Sequence, residues 1–272
     1  MKLNILIYDA GLGGDFLFNA LVQSSNLKHK SKYIAYPQEN NKWYCFDAFV
    51  MLFNTSYVPR LLNEYFDLKL FADIETGINQ KTLANITNDE LIKLLNFTSK
   101  IWFYNMKKLG FPQKQMQLWE IPTTTKVKEI DNLPDILYNL DEPFYTKGHW
   151  YSKLPNQTII KLAWPKSKRS VLKNIWETKV AGIQAKYKNW EDKNVPYASK
   201  FEQHVNYVYV DDDFTYKKYA DHLLVNSYRL IINPEKELFE TMLDYFNYGN
   251  NLKLTWPKLI EYANKNKELY DE

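Results

Sequence analysis

The chain has 272 residues, of which 45% are hydrophobic and 25% are charged, a balance that excludes a disordered polypeptide and is typical of a folded globular protein. The net charge of +3 is too small to indicate nucleic-acid binding by bulk charge. Its single cysteine, Cys45, excludes an internal disulfide. The first apolar run, residues 3–8, is far shorter than the roughly 20 residues of a membrane span and lacks the form of a signal peptide. We therefore expect a cytoplasmic protein without membrane contacts.

The N-terminal segment predicts a strand, a glycine turn and a helix. Residues 3–9 form a short apolar run that predicts a buried strand, and glycines at positions 11, 13 and 14 predict the turn. Asp15 is placed to cap the helix that follows. Strand, turn and helix in this order predict the opening of a parallel α/β sheet.

The rest of the chain alternates between helical and strand patterns without an internal repeat or a linker. The predicted strands are residues 33–36, 143–149, 158–164, 207–210 and 228–232. The predicted helices lie within residues 46–71, 88–108, 167–190, 235–245 and 256–269.

The glycine turn is the first candidate binding site. Gly11, Gly13 and Gly14 would let backbone N–H groups and a helix N-terminus approach an anion such as phosphate. A tight turn without a ligand is the alternative interpretation. The turn is not a Walker A loop, because Asp15 and Phe16 stand where that loop has Lys and Ser or Thr. A dinucleotide site would need a third glycine where Phe16 stands, with Glu39 as the ribose-binding acid.

The second candidate site lies in mid-chain. Lys147 and His149 precede the strand predicted at residues 158–164, and an imidazole that titrates near neutral pH suits a general base. Pro165 closes this strand. The cations and hydroxyl that follow at the head of a predicted helix are Lys166, Lys168, Arg169 and Ser170.

The order of these segments resembles the sulfotransferase family. The resemblance implies that the glycine loop, including Asp15 and Phe16, holds the 5′-phosphosulfate of the donor 3′-phosphoadenosine 5′-phosphosulfate. It further implies that His149 is the catalytic base, that Lys147 offsets charge on the transferred group, and that a basic residue with Ser170 binds the 3′-phosphate.

Two segments depart from the family pattern. The family's arginine before Pro165 is absent, so Lys161, Lys166 or Arg169 would replace it. Gly11 stands in the place of the loop lysine, and Gly14 and Asp15 stand in the places of hydroxyl donors. A carboxylate beside a phosphate is repulsive unless a cation intervenes. A catalytically inactive binding or structural module is therefore the alternative function, and a dinucleotide enzyme is the weaker one.

We expect a single α/β domain over residues 1–272, built as a three-layer P-loop-like fold with a mainly parallel sheet flanked by helices. The expected partners are the nucleotide donor and an unknown hydroxyl-bearing acceptor, without nucleic acid or membrane. The expected chemistry needs no metal: the acidic run at residues 211–213 fits a charged turn better than an ion site, since adjacent carboxylates cannot all point at one ion. The oligomeric state is left open.

Overall fold

The computed structural model describes residues 2–8, 12–27, 62–64, 66–72, 78–109, 132, 144–148, 157–186, 209–211, 214–247, 249 and 251–270. The chain divides into two compact units. The first unit holds residue 1 and segments 46–146 and 151–156, and the second holds segments 2–45, 147–150 and 157–272. The expected single domain over residues 1–272 stays a prediction.

The described part of the chain contains both strands and helices, as in an α/β protein. The strands are β1 (Leu3–Ile7), β2 (Phe144–Gly148), β3 (Gln157–Pro165), β4 (Tyr209–Val210), β5 (Tyr216–Lys218) and β6 (Leu223–Asn226). The helices are α1 (Gly14–Ser24), α2 (Gln80–Asn85), α3 (Asn88–Leu109), α4 (Arg169–Lys186), α5 (Tyr228–Ile231), α6 (Lys236–Phe246) and α7 (Trp256–Tyr270). Two one-turn 3₁₀ helices cover Lys166–Lys168 and Leu252–Leu254.

The second unit is built on a mixed, mostly parallel open sheet. Strand β3 pairs in parallel with β1, from Leu3 opposite Gln157 to Ile7 opposite Lys161. On its other side β3 pairs in parallel with β6, and its last two residues pair with β4. Strand β5 joins β6 as an antiparallel hairpin. The predicted α/β class with a mainly parallel sheet is confirmed at this level.

Burial explains why the central strands are apolar without alternation. Residues 3–6 of β1 are all buried, as expected of a parallel strand that is covered on both faces. The buried polar residue among them, Asn4, donates its Nδ2 hydrogen to the carbonyl of Phe246, the last residue of α6, at 3.3 Å. Helix α6 presents one apolar stripe at helical spacing, made of Leu238, Phe239, Met242, Leu243 and Phe246.

The parallel strands bring three connections to one edge of the sheet. Since β1, β3 and β6 run in the same direction, their carboxyl ends lie at the same edge. The glycine turn follows β1, the basic segment at residues 166–170 follows β3, and α5 follows β6. Ligands of open α/β sheets bind outside this edge, so the topology places both candidate binding segments where such a site would be.

The first unit contains helices α2 and α3. Thr87 and Glu90 form a reciprocal cap at the start of α3: Thr87 N donates to Glu90 Oε2 at 2.8 Å, and Glu90 N donates to Thr87 Oγ1 at 3.3 Å. Phe66 packs edge-on against Phe97 of α3, with ring centroids 5.3 Å apart. Strand β2 crosses the division of the chain, because residues 144–146 belong to the first unit and residues 147–148 to the second.

One predicted strand is wrong and several other predicted elements are confirmed. Residues 228–231, predicted as a strand, form helix α5, while the β5–β6 hairpin that precedes it was missed. An apolar run of four or five residues does not distinguish a strand from one turn of helix. Of the predicted helix within residues 46–71, the described residues 62–64 and 66 are helical, and the helical conformation ends before Asp67, which takes a positive φ of 51°. The predicted strands at residues 143–149 and 158–164 and the helices beginning near residues 88, 235 and 256 are confirmed.

Other predictions fall on residues outside the described ranges. These are the strand at residues 33–36, Glu39, Cys45 and residues 46–61. Within the described ranges, no helix has both the length and the apolar character needed to cross a membrane.

Candidate functional site: a cleft at the carboxyl edge of the sheet

The candidate site is a cleft of about 230 Å³ in the second unit, at the carboxyl ends of β3 and β6. Its volume lies below the roughly 300–1,000 Å³ of pockets that hold drug-sized ligands, so it suits a small ligand or one end of a larger one. The residues that line it are Pro165, Ser167, Lys168, Asn226, Tyr228, Arg229, Asn233 and Glu235.

One buried tryptophan connects the two walls of the cleft. Trp164, at 0% exposure, donates its Nε1 hydrogen to the carbonyl of Lys168 at 2.7 Å. Its ring also meets the ring of Tyr228 edge-on, with centroids 5.4 Å apart. The 3₁₀ turn on one side and α5 on the other are therefore positioned by the same core residue.

The floor of the cleft is held by hydrogen bonds of buried polar side chains. Asn226 donates from Nδ2 to the carbonyl of Phe214 at 2.9 Å and accepts from the backbone N–H of Tyr228 at 3.2 Å. The hydroxyl of Ser227 and its backbone N–H both donate to the carbonyl of Ala163 at 2.9 Å. These bonds fix the end of β6 against the end of β3, where α5 begins.

The walls of the cleft carry two cationic side chains and one hydroxyl group. Lys168 Nζ lies 5.7 Å from the centroid of the Tyr228 ring, within the range of a cation–π contact. Arg229 Nη1 lies 2.5 Å from Glu235 Oε1. The ammonium, the guanidinium and the Ser167 hydroxyl are all hydrogen-bond donors, and such a set suits an oxyanion.

The basic residues predicted for phosphate binding flank the cleft without lining it. Lys166, Arg169 and Ser170 are exposed, and Lys166 Nζ lies 3.8 Å from Asp211 Oδ1. Their neighbours Ser167 and Lys168 line the cleft instead. The sequence identified this segment, but the 3₁₀ turn at residues 166–168 changes the angle between successive side chains relative to an α-helix. The phosphate role of Lys166, Arg169 and Ser170 stays a prediction.

The sequence did not predict the opposite wall of the cleft. Tyr228 and Arg229 belong to α5, which the sequence predicted as a strand, and Asn233 and Glu235 follow it. The signal in the sequence that points to this wall is a basic residue, Arg229, shortly before the sequence Asn233-Pro234-Glu235.

The two described glycines of the turn face side chains of the protein itself. Gly13 is the N-cap of α1 with a φ of 70°, and a Cβ there would lie 2.8 Å from Ile231 Cγ2 of α5. A Cβ on Gly14 would lie 2.0 Å from Cγ of the Tyr8 ring. Both positions thus require glycine for internal packing. A role in anion binding would rest on the backbone N–H groups of the first turn and stays a prediction, while Gly11 lies outside the described residues.

Asp15 and Phe16 make contacts that the sequence did not predict. Asp15 is not the helix cap, because α1 begins at Gly14, and its Oδ1 accepts a hydrogen bond from Tyr8 Oη at 2.8 Å. Phe16 stacks on Tyr262 of α7, with ring centroids 3.9 Å apart and planes 8° from parallel. A cofactor role for either residue stays a prediction.

The predicted catalytic pair is described only in part. Lys147 lies in strand β2, whereas His149 lies outside the described residues. Among the described residues, no group of three or more His, Cys, Asp or Glu side chains is arranged to hold a metal ion.

A second polar cluster lies at the turn of the β5–β6 hairpin. The ring of His222 stacks on Tyr219, and its Nδ1 lies 2.8 Å from Asp221 Oδ1. The hydrogen bond with His222 is the main reason that the pKa of Asp221 is lowered from its ordinary value. This cluster is a local turn structure on the exposed hairpin.

Comparison of the chain with protein-family models, with curated proteins and with solved structures finds no match.

Proposed function

We propose that the protein binds a phosphate-bearing nucleotide at the cleft and transfers a sulfuryl group from 3′-phosphoadenosine 5′-phosphosulfate to a hydroxyl acceptor. The observation that carries the proposal is the cleft itself, which lies at the carboxyl edge of parallel strands and is lined by Ser167, Lys168 and Arg229. Ser167 and Lys168 belong to the segment that the sulfotransferase resemblance assigns to the 3′-phosphate. A three-layer P-loop-like architecture is part of the same proposal.

The donor set of the cleft fits a phosphate group. Phosphate oxygens accept hydrogen bonds from hydroxyl, ammonium and guanidinium groups, and Arg is suited to bind two oxygens at once. The Tyr228 ring adds an aromatic surface beside the Lys168 ammonium. The volume of about 230 Å³ suits the phosphorylated end of a nucleotide rather than the whole molecule.

The catalytic roles come from the resemblance. His149 would take the proton of the acceptor hydroxyl, and Lys147 would offset negative charge on the transferred group. Turnover should therefore be lost in His149→Ala while the fold is retained, and turnover equal to that of the wild type would remove His149 from its role.

The direct test is a thermal-shift titration with adenosine 3′,5′-bisphosphate, run beside ATP, NAD and sulfate. At about 100 times its dissociation constant the bisphosphate should add about 2.7 kcal/mol to the stability, which raises Tm by several degrees. In Lys168→Gln the shift should be much smaller, because a cation of the cleft is lost.

Lys173→Gln is the matched control. Lys173 is an exposed lysine of the neighbouring helix α4, paired with Glu177 at 3.8 Å, and it does not line the cleft. Equal shifts in the two lysine variants would place the nucleotide elsewhere. The absence of a shift with every nucleotide would contradict the proposal.

The second candidate function is a non-catalytic module of the same fold. The packing of Ile231 against Gly13 and of the Tyr8 ring against Gly14 favours it, since these side chains fill the space that glycines leave open in a phosphate loop. This candidate predicts that no sulfuryl group is transferred to a hydroxyl acceptor, whether or not the bisphosphate binds. Turnover with 3′-phosphoadenosine 5′-phosphosulfate and an acceptor would exclude it.

A further inference from the structure

The contact between Arg229 and Glu235 places a carboxylate inside the proposed anion site. Arg229 Nη1 and Glu235 Oε1 are 2.5 Å apart, and the two side chains are 34% and 32% exposed. The backbone N–H of Glu235 also donates to the carbonyl of Arg229 at 2.9 Å. Backbone geometry therefore holds the two residues together independently of their charges.

This carboxylate has the chemistry of a bound oxyanion. A carboxylate and a phosphate group accept the same N–H donors of a guanidinium, so they compete for Arg229. Both side chains line the cleft, and a phosphate that reached Arg229 would meet the Glu235 carboxylate at contact distance. Like charges at such distances repel each other by an energy that is large compared with RT.

We propose that Glu235 is a built-in competitor for the oxyanion of the ligand. It holds Arg229 when the cleft is empty and is displaced when a phosphate or sulfate ester enters, so it sets the affinity of the cleft for such groups. The inference rests on the proposed function for its ligand class, but it concerns the charge balance of the cleft alone. Lys168, Arg229 and Glu235 together carry a net charge of +1. Removal of the Glu235 carboxylate raises this net charge to +2.

The test measures the binding of phenyl phosphate and phenyl sulfate by calorimetry in the wild-type protein and in Glu235→Gln. The ligands share one body but carry about two charges and one charge, respectively. Loss of the carboxylate should tighten phenyl phosphate binding by about tenfold, and phenyl sulfate binding by less, because the electrostatic gain scales with the charge of the ligand. A structural loosening of the cleft would change both affinities alike.

Glu261→Gln is the matched control. It removes the same charge from an ion pair on α7, where Glu261 Oε1 lies 2.7 Å from Lys265 Nζ, and Glu261 does not line the cleft. Its affinities should equal those of the wild type. Glu235→Ala is the second variant, which removes the same carboxylate if the glutamine variant fails to fold. Arg229→Gln should weaken phenyl phosphate binding and shrink the gain from Glu235→Gln.

The outcomes separate this inference from the proposed function. Adenosine 3′,5′-bisphosphate that binds wild type and Glu235→Gln equally well supports the function and overturns the role of Glu235. Ester binding that follows the expected charge dependence, without any preference for the bisphosphate, supports Glu235 as competitor and contradicts the nucleotide function. Equal gains for both esters, or no ester binding in any variant, overturn the inference.

Discussion

The ring of Tyr8 occupies the space that a side chain at position 14 would need. Alanine is a better helix former than glycine by up to about 1 kcal/mol, so Gly14→Ala at the start of α1 would otherwise stabilise the protein. With its Cβ placed 2.0 Å from Tyr8 Cγ, we expect the ring to move and the free energy of unfolding to fall by about 1–3 kcal/mol. Urea denaturation measures the change.

The sign of this effect should depend on Tyr8. In a Tyr8→Ala background the ring is gone, and Gly14→Ala should become neutral or stabilising. Destabilisation of the same size in both backgrounds would show that Gly14 is needed for another reason, such as approach of a ligand to the backbone.

The glycines show what a sequence can predict about single residues. Their position between a strand and a helix was predictable, because glycine marks tight turns. The reason that glycine is required there was not predictable from the sequence. Ile231 meets Gly13 only because β6 ends at the same edge as β1, and that contact depends on the register of the whole sheet.

The reciprocal cap of α3 gives a prediction for a single helix. The hydrogen bonds from Thr87 lower the pKa of Glu90 below 4.5, so its contribution to stability is present above about pH 4.5 and is lost as pH falls through the folded-state pKa. We expect Glu90→Gln to be less stable than the wild type at about pH 7, and the difference to shrink at about pH 3.5. Thr87→Ala should cost roughly 1 kcal/mol.

Glu237→Gln is the control for the charge alone, since Glu237 lies in the first turn of α6. If the difference between Glu90→Gln and wild type were the same at both pH values, the carboxylate would not be part of the cap. An equal loss in Glu237→Gln would assign the effect to the helix dipole.

Secondary-structure elements with long apolar sequence patterns were easier to predict than those with short ones. Helices α3, α6 and α7 repeat an apolar stripe over several turns, and the repetition identifies them. Helix α5 has a single turn, Tyr228–Ile231, and owes its conformation to tertiary contacts. Its neighbour Ser227 is tied to Ala163, and its first residue packs on Trp164. The cleft wall that α5 carries was therefore hidden from the sequence.

At the scale of the whole molecule, hydrogen exchange tests whether the two units unfold together. Ile160 is buried in β3, opposite residues of both β1 and β6, so it belongs to the centre of the second unit. Ile160→Val should cost about 0.5–1.5 kcal/mol. The slowest-exchanging amides of β1, β3 and β6 should then exchange about two to twelve times faster, because they open only when the unit unfolds.

The hydrogen-exchange rates of the α3 amides distinguish a chain with two cooperative units from a chain with one. Unchanged exchange in α3 would mean that the first unit opens by itself. Leu94→Val, at a buried position of α3, should then have the reciprocal effect and leave β3 unchanged. If both variants accelerated exchange equally in α3 and β3, the chain would unfold as one cooperative domain over residues 1–272, as the sequence predicts. The division into two compact units would then describe packing density and not folding.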